Sequence, residues 1–261
     1  MGTANAGNHD GCALECRNVT YRLPSGTALV SGLNLRVAQG ETLVLLGRSG
    51  SGKTTTLKLI NRLLEPSEGE IFISGRTARS WDPIQLRRGI GYVIQDAGLF
   101  PHWSVEKNVA LVPHLDRWPE DRIRARVKEM LELVGLPPAE FASRRPSELS
   151  GGQRQRVGVA RALAADPPIL LMDEPFGALD PVTRAEMQRE FHALASRLGK
   201  SIVFVTHDVR EALFLGTRIA LLATGRLVGE YAPQEFLDST EPEARAFAAS
   251  HHLGRDDEEV R

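Results

Sequence analysis

The stretch Thr42-Leu43-Val44-Leu45-Leu46-Gly47-Arg48-Ser49-Gly50-Ser51-Gly52-Lys53-Thr54-Thr55 begins as an almost wholly apolar run and turns abruptly into glycine and serine. The apolar part has the pattern of a strand covered on both faces. Beyond the glycines, Leu57, Ile60 and Leu64 recur at helical spacing, so a helix follows the turn. The turn itself matches G-x-x-x-x-G-K-[ST] between a strand and a helix, which is the setting that gives the motif its meaning. Glycines leave the backbone bare, so that N–H groups can converge on phosphate oxygens, and the helix behind aims its positive end at them. Lys53 would reach the β- and γ-phosphates as a point charge, and Thr54 Oγ1 would ligate Mg²⁺. A Gly/Ser turn with an incidental lysine is the plain alternative, and the order strand, loop, helix weighs against it. Nucleotide-binding positions are therefore expected at Gly47, Arg48, Ser49, Gly50, Ser51, Gly52, Lys53, Thr54 and Thr55.

A second apolar run, Ile169–Met172, ends in Asp173-Glu174. Ligands of open α/β sheets collect at the C-terminal ends of the strands, where these two carboxylates would stand. Asp173 is placed to hold Mg²⁺ through water, and Glu174 is free to polarise an attacking water as general base. Alone, a strand ending in Asp-Glu merely reaches solvent; beside a phosphate loop it reads as half of a hydrolytic site.

The remainder alternates. Extended segments are expected at Leu14–Tyr21, Leu33–Val37, Glu70–Ile73, Gly91–Ile94 and Ser201–Val205, and helices at Gly151–Ala165, Pro181–Leu198, Asp208–Leu215 and from Ala232 onward. Strands alternating with helices imply an α/β fold with a mostly parallel sheet. Between about Ser104 and Pro146 the pattern changes: Ile123, Val127, Met130, Leu131 and Val134 mark an amphipathic helix, with Gly135 as its stop. This is a helical insertion. Residues 1–12 are small and polar and read as a disordered lead-in, and the acidic Asp256–Glu259 as a frayed end.

Composition narrows the function. The chain has 261 residues, with 32 Lys+Arg against 33 Asp+Glu and a formal net charge of −1. That balance argues against holding nucleic acid by a broad basic surface. The apolar runs fall far short of the roughly 18 residues that span a bilayer, and the N-terminus has neither the basic stretch nor the apolar run of a secretory signal. Two cysteines, Cys12 and Cys16, make no disulfide framework and fit a reducing compartment.

Leu149-Ser150-Gly151-Gly152-Gln153, upstream of the acidic pair, completes a set of motifs in order, and the chain from about Leu14 to Glu230 resembles the nucleotide-binding subunits of ATP-binding cassette transporters. Ser150 with Gln153 also fits a helix capping box, although that leaves two glycines in a first turn unexplained. The resemblance implies a P-loop NTPase core with a mostly parallel sheet, an N-terminal antiparallel β subdomain and an inserted helical subdomain at about 96–165. The cassette would span 13–245, followed by a tail at 246–261 without a regulatory domain. It implies ATP and Mg²⁺ as ligands. It implies that Gln95 touches Mg²⁺ and the lytic water, that His207 contacts the γ-phosphate, and that Asp180 lies in a loop communicating between subunits. Asp180-Pro181 also reads as an N-cap with proline at N1, and Asp208 with Glu211 as a capping pair. An aromatic on adenine is implied at Tyr21, whereas an ungapped alignment offers Leu23 on the same strand face.

In that family a single copy holds no complete site. Two copies, identical or paralogous, pack head to tail, each ATP lying between one copy's phosphate loop and the other's Ser150–Gln153 segment. The implied partners are integral membrane permease subunits and, indirectly, a solute-binding protein. The implied place is peripheral, at the cytoplasmic face of the inner membrane, and no nucleic-acid partner is implied. Gly91–His102, Asn108–Pro113 and Leu57–Leu63 further resemble importers of quaternary amines such as glycine betaine, choline and carnitine. Phe100, Pro101, His102 and Trp103 would then edge a groove for a short helix of the permease, unless both aromatics pack inward. An importer of another small polar solute, an exporter and a soluble DNA-associated ATPase share the chemistry. The last of these would need a long coiled coil between Lys53 and Leu149, and no sustained heptads occur there.

Overall fold

The computed structural model describes residues 11–256, with side chains as far as residue 249. Most of the expected lead-in and the acidic end beyond residue 256 therefore lie outside the described residues. The first strand starts earlier than its sequence pattern suggests. β1 (Cys12–Arg22) pairs antiparallel with β2 (Ala28–Ala38) on one side and with β4 (Glu68–Ile73) on the other. Between β2 and β4 the chain passes through β3 (Thr42–Leu46) and α1 (Lys53–Ile60). A two-residue β5 (Arg76–Thr77) completes a four-stranded antiparallel sheet in the order β2-β1-β4-β5.

The second sheet carries the chemistry. After α2 (Pro83–Arg88) come β6 (Ile90–Val93), then α3 (Val105–Leu115), α4 (Glu120–Leu133), α5 (Pro138–Phe141) and α6 (Gly151–Leu163), which form the inserted helical region. β7 (Ile169–Asp173), α7 (Pro181–Leu198), β8 (Ser201–Thr206) and α8 (Val209–Leu215) return to the sheet. β9 (Arg218–Ala223) and β10 (Arg226–Tyr231) close it, and α9 (Pro233–Leu237) and α10 (Pro242–Asp256) follow. The strand order is β10-β9-β3-β8-β7-β6, parallel except for the edge pair β9–β10. A strand order unlike the chain order brings the C-terminal ends of β3, β7 and β8 side by side, which is where ligands of such sheets gather.

This sheet separates two cores. Leu43 and Leu45 of β3, Leu171 of β7 and Val203 and Val205 of β8 face one core, with α1 and the antiparallel sheet. Val44, Leu46, Leu170, Met172, Ile202 and Phe204 alternate with them and face the other, with α7, α8 and the helical insertion. Both faces are apolar because both are covered, which is why β3 reads as an unbroken run. In the insertion, α3, α4 and α6 pack on one another. Ile123, Val127, Met130 and Leu131 are buried as their spacing predicts, and Gly135 ends the helix with φ +70°.

Three local expectations differ from the structure, and one hairpin was not expected. The helix after the phosphate loop ends at Ile60, since Arg62 turns left-handed at φ 49°, and Leu64 lies beyond it. The helix from Ala232 is two helices. Glu211 does not pair with Asp208 as a cap; its bonds go elsewhere, as shown below. The β9–β10 hairpin turns at Thr224-Gly225, both with positive φ, and a threonine in place of the usual Asn or Asp leaves this turn without a strong sequence signal. No helix among the described residues is long and apolar enough to cross a membrane.

Candidate functional site

The phosphate loop opens a cleft of about 210 Å³ lined by Ser49–Thr55, by Leu29 and by Glu174. Its shape is held from outside. The Gly225 N–H donates to the Ser51 carbonyl at 3.2 Å, and the Ser31 N–H to the Gly225 carbonyl at 2.8 Å, so β2 and the β9–β10 turn brace the loop. Gly52 has φ +98°, and a Cβ there would stand 2.7 Å from the Leu29 carbonyl oxygen. Gly50 also has positive φ, yet a Cβ on it would meet open space. One glycine is thus demanded by close packing, the other by backbone angle alone.

Lys53 is buried, and its ammonium donates to the carbonyls of Gly47 at 2.7 Å and Arg48 at 2.9 Å. Burial pushes its pKa down, while the nearby carboxylates of Glu174 and Asp173 pull it up. Within the same loop Ser51 Oγ is buried without a hydrogen-bond partner. An orphaned hydroxyl and a desolvated ammonium beside an open glycine turn suit an anion with several oxygens.

The acidic pair stands where the sheet rule puts it. Thr54 Oγ1 donates to Asp173 Oδ1 at 2.8 Å. Burial raises the Asp173 pKa, and the Thr54 hydrogen bond opposes that rise. A threonine hydroxyl beside a carboxylate is an all-oxygen donor set, which suits a hard cation such as Mg²⁺. Glu174 follows with φ 45°, an uncommon conformation for a side-chain-bearing residue, and its N–H is held by the Val205 carbonyl at 3.0 Å. Its Oε2 lies 2.9 Å from His207 Nδ1. Phe176, two residues on, is fully buried against Phe191 and Phe204, with ring centroids 6.1 and 5.7 Å away. This aromatic cluster anchors the strained turn that presents Glu174.

Gln95 lies in the loop after β6. Its amide nitrogen and Glu174 Oε2 would be 3.6 and 3.8 Å from a Cβ on Gly177, so both flank the open side of that glycine. Ala97 and Gly98 follow with φ 57° and 55°, and the Arg161 guanidinium donates to their carbonyls at 2.6 and 2.7 Å. Phe100 and Trp103 are exposed and stacked on each other, centroids 4.7 Å apart. They do not pack inward.

The remaining expected residues lie away from the phosphate-loop cleft of the same chain. Ser150 and Gln153 make a capping box at the start of α6: Ser150 Oγ accepts from Gln153 N at 3.2 Å, and Gln153 Oε1 from Ser150 N at 2.9 Å. A Cβ on Gly152 would stand 2.8 Å from Thr183 Cγ2, so one of the two glycines answers to local packing; Gly151 has no such neighbour. Asp180 caps α7, accepting from Thr183 N at 3.1 Å, and the Thr183 hydroxyl, with this N–H, holds its carboxyl below the usual carboxylate value. Tyr21 packs against the inter-sheet core beside β2 and does not line the cleft.

Three supporting residues escaped sequence reading. Arg184 donates to the carbonyls of Phe176, Gly177 and Leu179 at 3.3, 3.4 and 3.0 Å, bracing the turn between Glu174 and Asp180. Arg161 does the same for the turn after Gln95. Leu29 enters the cleft because the β1–β2 hairpin folds over the loop. Their partners are distant or main-chain atoms, so no local residue pattern marks them.

The chain is similar to known proteins in sequence and in fold. The chain is 52% identical over 224 residues to the choline transport ATP-binding protein of Bacillus subtilis, an alignment covering 86% of this chain and 58% of that one. It is 53% identical over 208 residues to the glycine betaine uptake system ATP-binding protein of Escherichia coli, covering 80% and 67%. It thus spans little more than half the length of the first relative and two thirds of the second. Among solved structures, a dimeric ATP-binding cassette in a post-hydrolysis state with ADP and Pi superposes with a TM-score of 0.75 at 36% identity, covering 84% of this chain and 98% of that one. The ABC transporter family model matches residues 30–177, the span holding the phosphate loop, the Ser150–Gln153 segment and the acidic pair, and the chain belongs to that family.

Proposed function

We propose that this chain is the ATP-hydrolysing subunit of a membrane importer, taking up a quaternary amine such as glycine betaine or choline. The observation that carries the ATPase reading is the convergence, at three adjacent strand ends, of the Thr54–Asp173 pair at 2.8 Å and the Glu174–His207 pair at 2.9 Å on the mouth of the phosphate loop. The choline and glycine betaine transport of these relatives supports the solute class.

Backbone N–H groups of Gly47–Thr55 cradle the phosphates, and Lys53 exchanges its carbonyl partners for phosphate oxygens. Thr54, Asp173 (through water) and Gln95 would hold Mg²⁺, which would supply charge neutralisation of the phosphoryl oxygens. Glu174 accepts a proton from the attacking water, and His207 orients Glu174 and reaches the γ-phosphate. Tyr21 of β1 would stack on adenine, although Leu29 of β2 is the residue that lines the phosphate-loop cleft. Ser150, Gly151, Gly152, Gln153 and Asp180 lie apart from their own chain's cleft, as they would if they served the cleft of a second copy. The working unit is accordingly a head-to-tail dimer, a homodimer or a pair with a paralogue. It docks on integral membrane permease subunits at the cytoplasmic face of the inner membrane, with the exposed Phe100–Trp103 stack at the edge of the docking groove. A solute-binding protein would act on the far side.

Glu174→Gln should bind ATP and accumulate as a closed dimer by size-exclusion chromatography while the wild type turns over. Normal hydrolysis by that variant would remove Glu174 as base. Uptake of labelled glycine betaine and choline, lost in a Lys53→Ala strain and kept in the wild type, tests the solute. Unchanged uptake of both would withdraw the quaternary-amine assignment.

A further inference from the structure

Glu211 in α8 is a carboxylate, 5% exposed, that the motifs leave without a task. Its position relative to Asp208 fits a capping partner, but the bonds are different. The Asp208 N–H donates to Thr206 Oγ1 at 2.9 Å, and the Asp208 carboxylate caps the Arg210 N–H at 2.7 Å. Glu211 Oε2 instead accepts the Thr206 hydroxyl at 2.5 Å, and Oε1 accepts from Gln188 Nε2 at 2.9 Å. Gln188 is on α7, one turn beyond Arg184, which grips the carbonyls of Phe176, Gly177 and Leu179.

One carboxylate thus joins the end of β8 to the helix that braces the turn after β7. These are the two segments that bring His207 within 2.9 Å of Glu174. A cavity of about 20 Å³ lies between the bridge and the dyad, touching Glu174, Arg184, Thr206, His207 and Glu211, with room for about one water. Burial raises the Glu211 pKa, against the hydrogen bonds of Thr206 and Gln188. Asp208 adds to the rise, and Arg184 opposes it.

We propose that Glu211 is a positioning residue for His207: by tying Thr206 to Gln188 it fixes the end of β8 so that the imidazole stays within reach of Glu174. The inference rests on the ATPase reading for its kinetic consequence, but not for its geometry. Because His207 directly follows Thr206, release of the Thr206 hydroxyl frees the χ and backbone angles that aim the ring. Nucleotide contacts in the phosphate loop are untouched.

The test uses all 261 residues. Wild type, His207→Ala, Glu211→Ala and Glu211→Gln are compared for kcat and KM with ATP and for the imidazole ¹⁵N resonances of His207, assigned by their loss in His207→Ala. Glu211→Ala should lower kcat about tenfold with KM within about twofold, the signature of a misplaced catalytic group, and should shift the His207 resonances. Glu211→Gln, which keeps the shape and an acceptor, should recover most of the rate. Wild-type kcat with unshifted resonances in folded Glu211→Ala overturns the proposal, as does a loss explained wholly by a smaller folded fraction. If Glu211→Ala does not fold, Gln188→Ala cuts the same bridge at its other end and is judged by the same two readouts. A wild type without ATP turnover refutes the ATPase reading instead, and the resonances alone then decide the positioning claim.

Discussion

Replacing Asn108 tests how the exposed aromatic loop is held. Asn108 is fully buried in α3, its Oδ1 accepting from the Phe100 N–H at 2.7 Å. Its amide donates to the carbonyls of Phe100 at 3.2 Å and Ser104 at 3.0 Å, with Trp103 O at the limit of 3.5 Å. Asn108→Ala removes three sound bonds at about 1 kcal/mol net each, so the expected destabilisation is about 3 kcal/mol. Asn108→Asp keeps the acceptor but sets a carboxylate against two carbonyl oxygens, and should be at least as harmful at neutral pH. Urea unfolding is followed by far-UV circular dichroism and by Trp103 emission in a Trp81→Phe, Trp118→Phe background. With a slope of about 3 kcal/mol/M, the midpoint should fall by about 1 M. Coincident transitions by both probes are needed for a single free energy. Native Trp103 emission should move to the red as its stack with Phe100 loosens. A midpoint change below about 0.3 M would refute the reasoning, because it would mean that backbone and water replace the amide at little cost. A full loss of stability with unmoved Trp103 emission would show that Asn108 anchors α3 and not the loop.

The two loop glycines should separate in a stability measurement. Gly50→Ala strains only a positive φ and should cost about 1 kcal/mol, while Gly52→Ala adds the overlap with the Leu29 carbonyl and should cost clearly more; equal midpoints would refute the packing argument. Glu211, whose folded pKa is raised, contributes stability that is complete below its unfolded value and is lost as pH rises through the folded one. The melting temperature of Glu211→Gln relative to wild type should therefore climb as pH rises above the ordinary carboxyl value of 4.5, and a pH-independent difference would contradict the upward shift. Phe100→Ser with Trp103→Ser should leave ATP turnover of the isolated chain near wild type but abolish solute uptake, because both rings are exposed and outside the cleft. Loss of turnover in the isolated variant would show instead that the stack supports the Gln95 loop.

Much of this molecule is written locally. The strand, glycine turn and helix of residues 42–60 are neighbours in the chain, so composition and spacing reveal them, as they reveal the period of α4 and the caps at Ser150 and Asp180. The alternating burial of β3 is legible too, because a strand covered on both faces must be apolar throughout. The site is a different matter. Thr54 and Asp173 are 119 residues apart, and Glu174 and His207 are 33 apart. What brings them together is the order β3-β8-β7, set by packing of whole faces and not by any residue pattern in one segment. Arg161 and Arg184 act on main-chain carbonyls, which every residue supplies and no sequence pattern can single out. Glu211 shows the difference at one position. Its spacing from Asp208 is that of a cap, yet the fold offers its carboxylate a threonine hydroxyl and a glutamine amide on another helix, and these partners decide its place. Sequence alone determined which short segments could bind phosphate, because that depends on bare backbone and nearby charge. Tertiary structure decided which side chains meet there, because hydrogen bonds between distant residues form only after the sheet has ordered its strands.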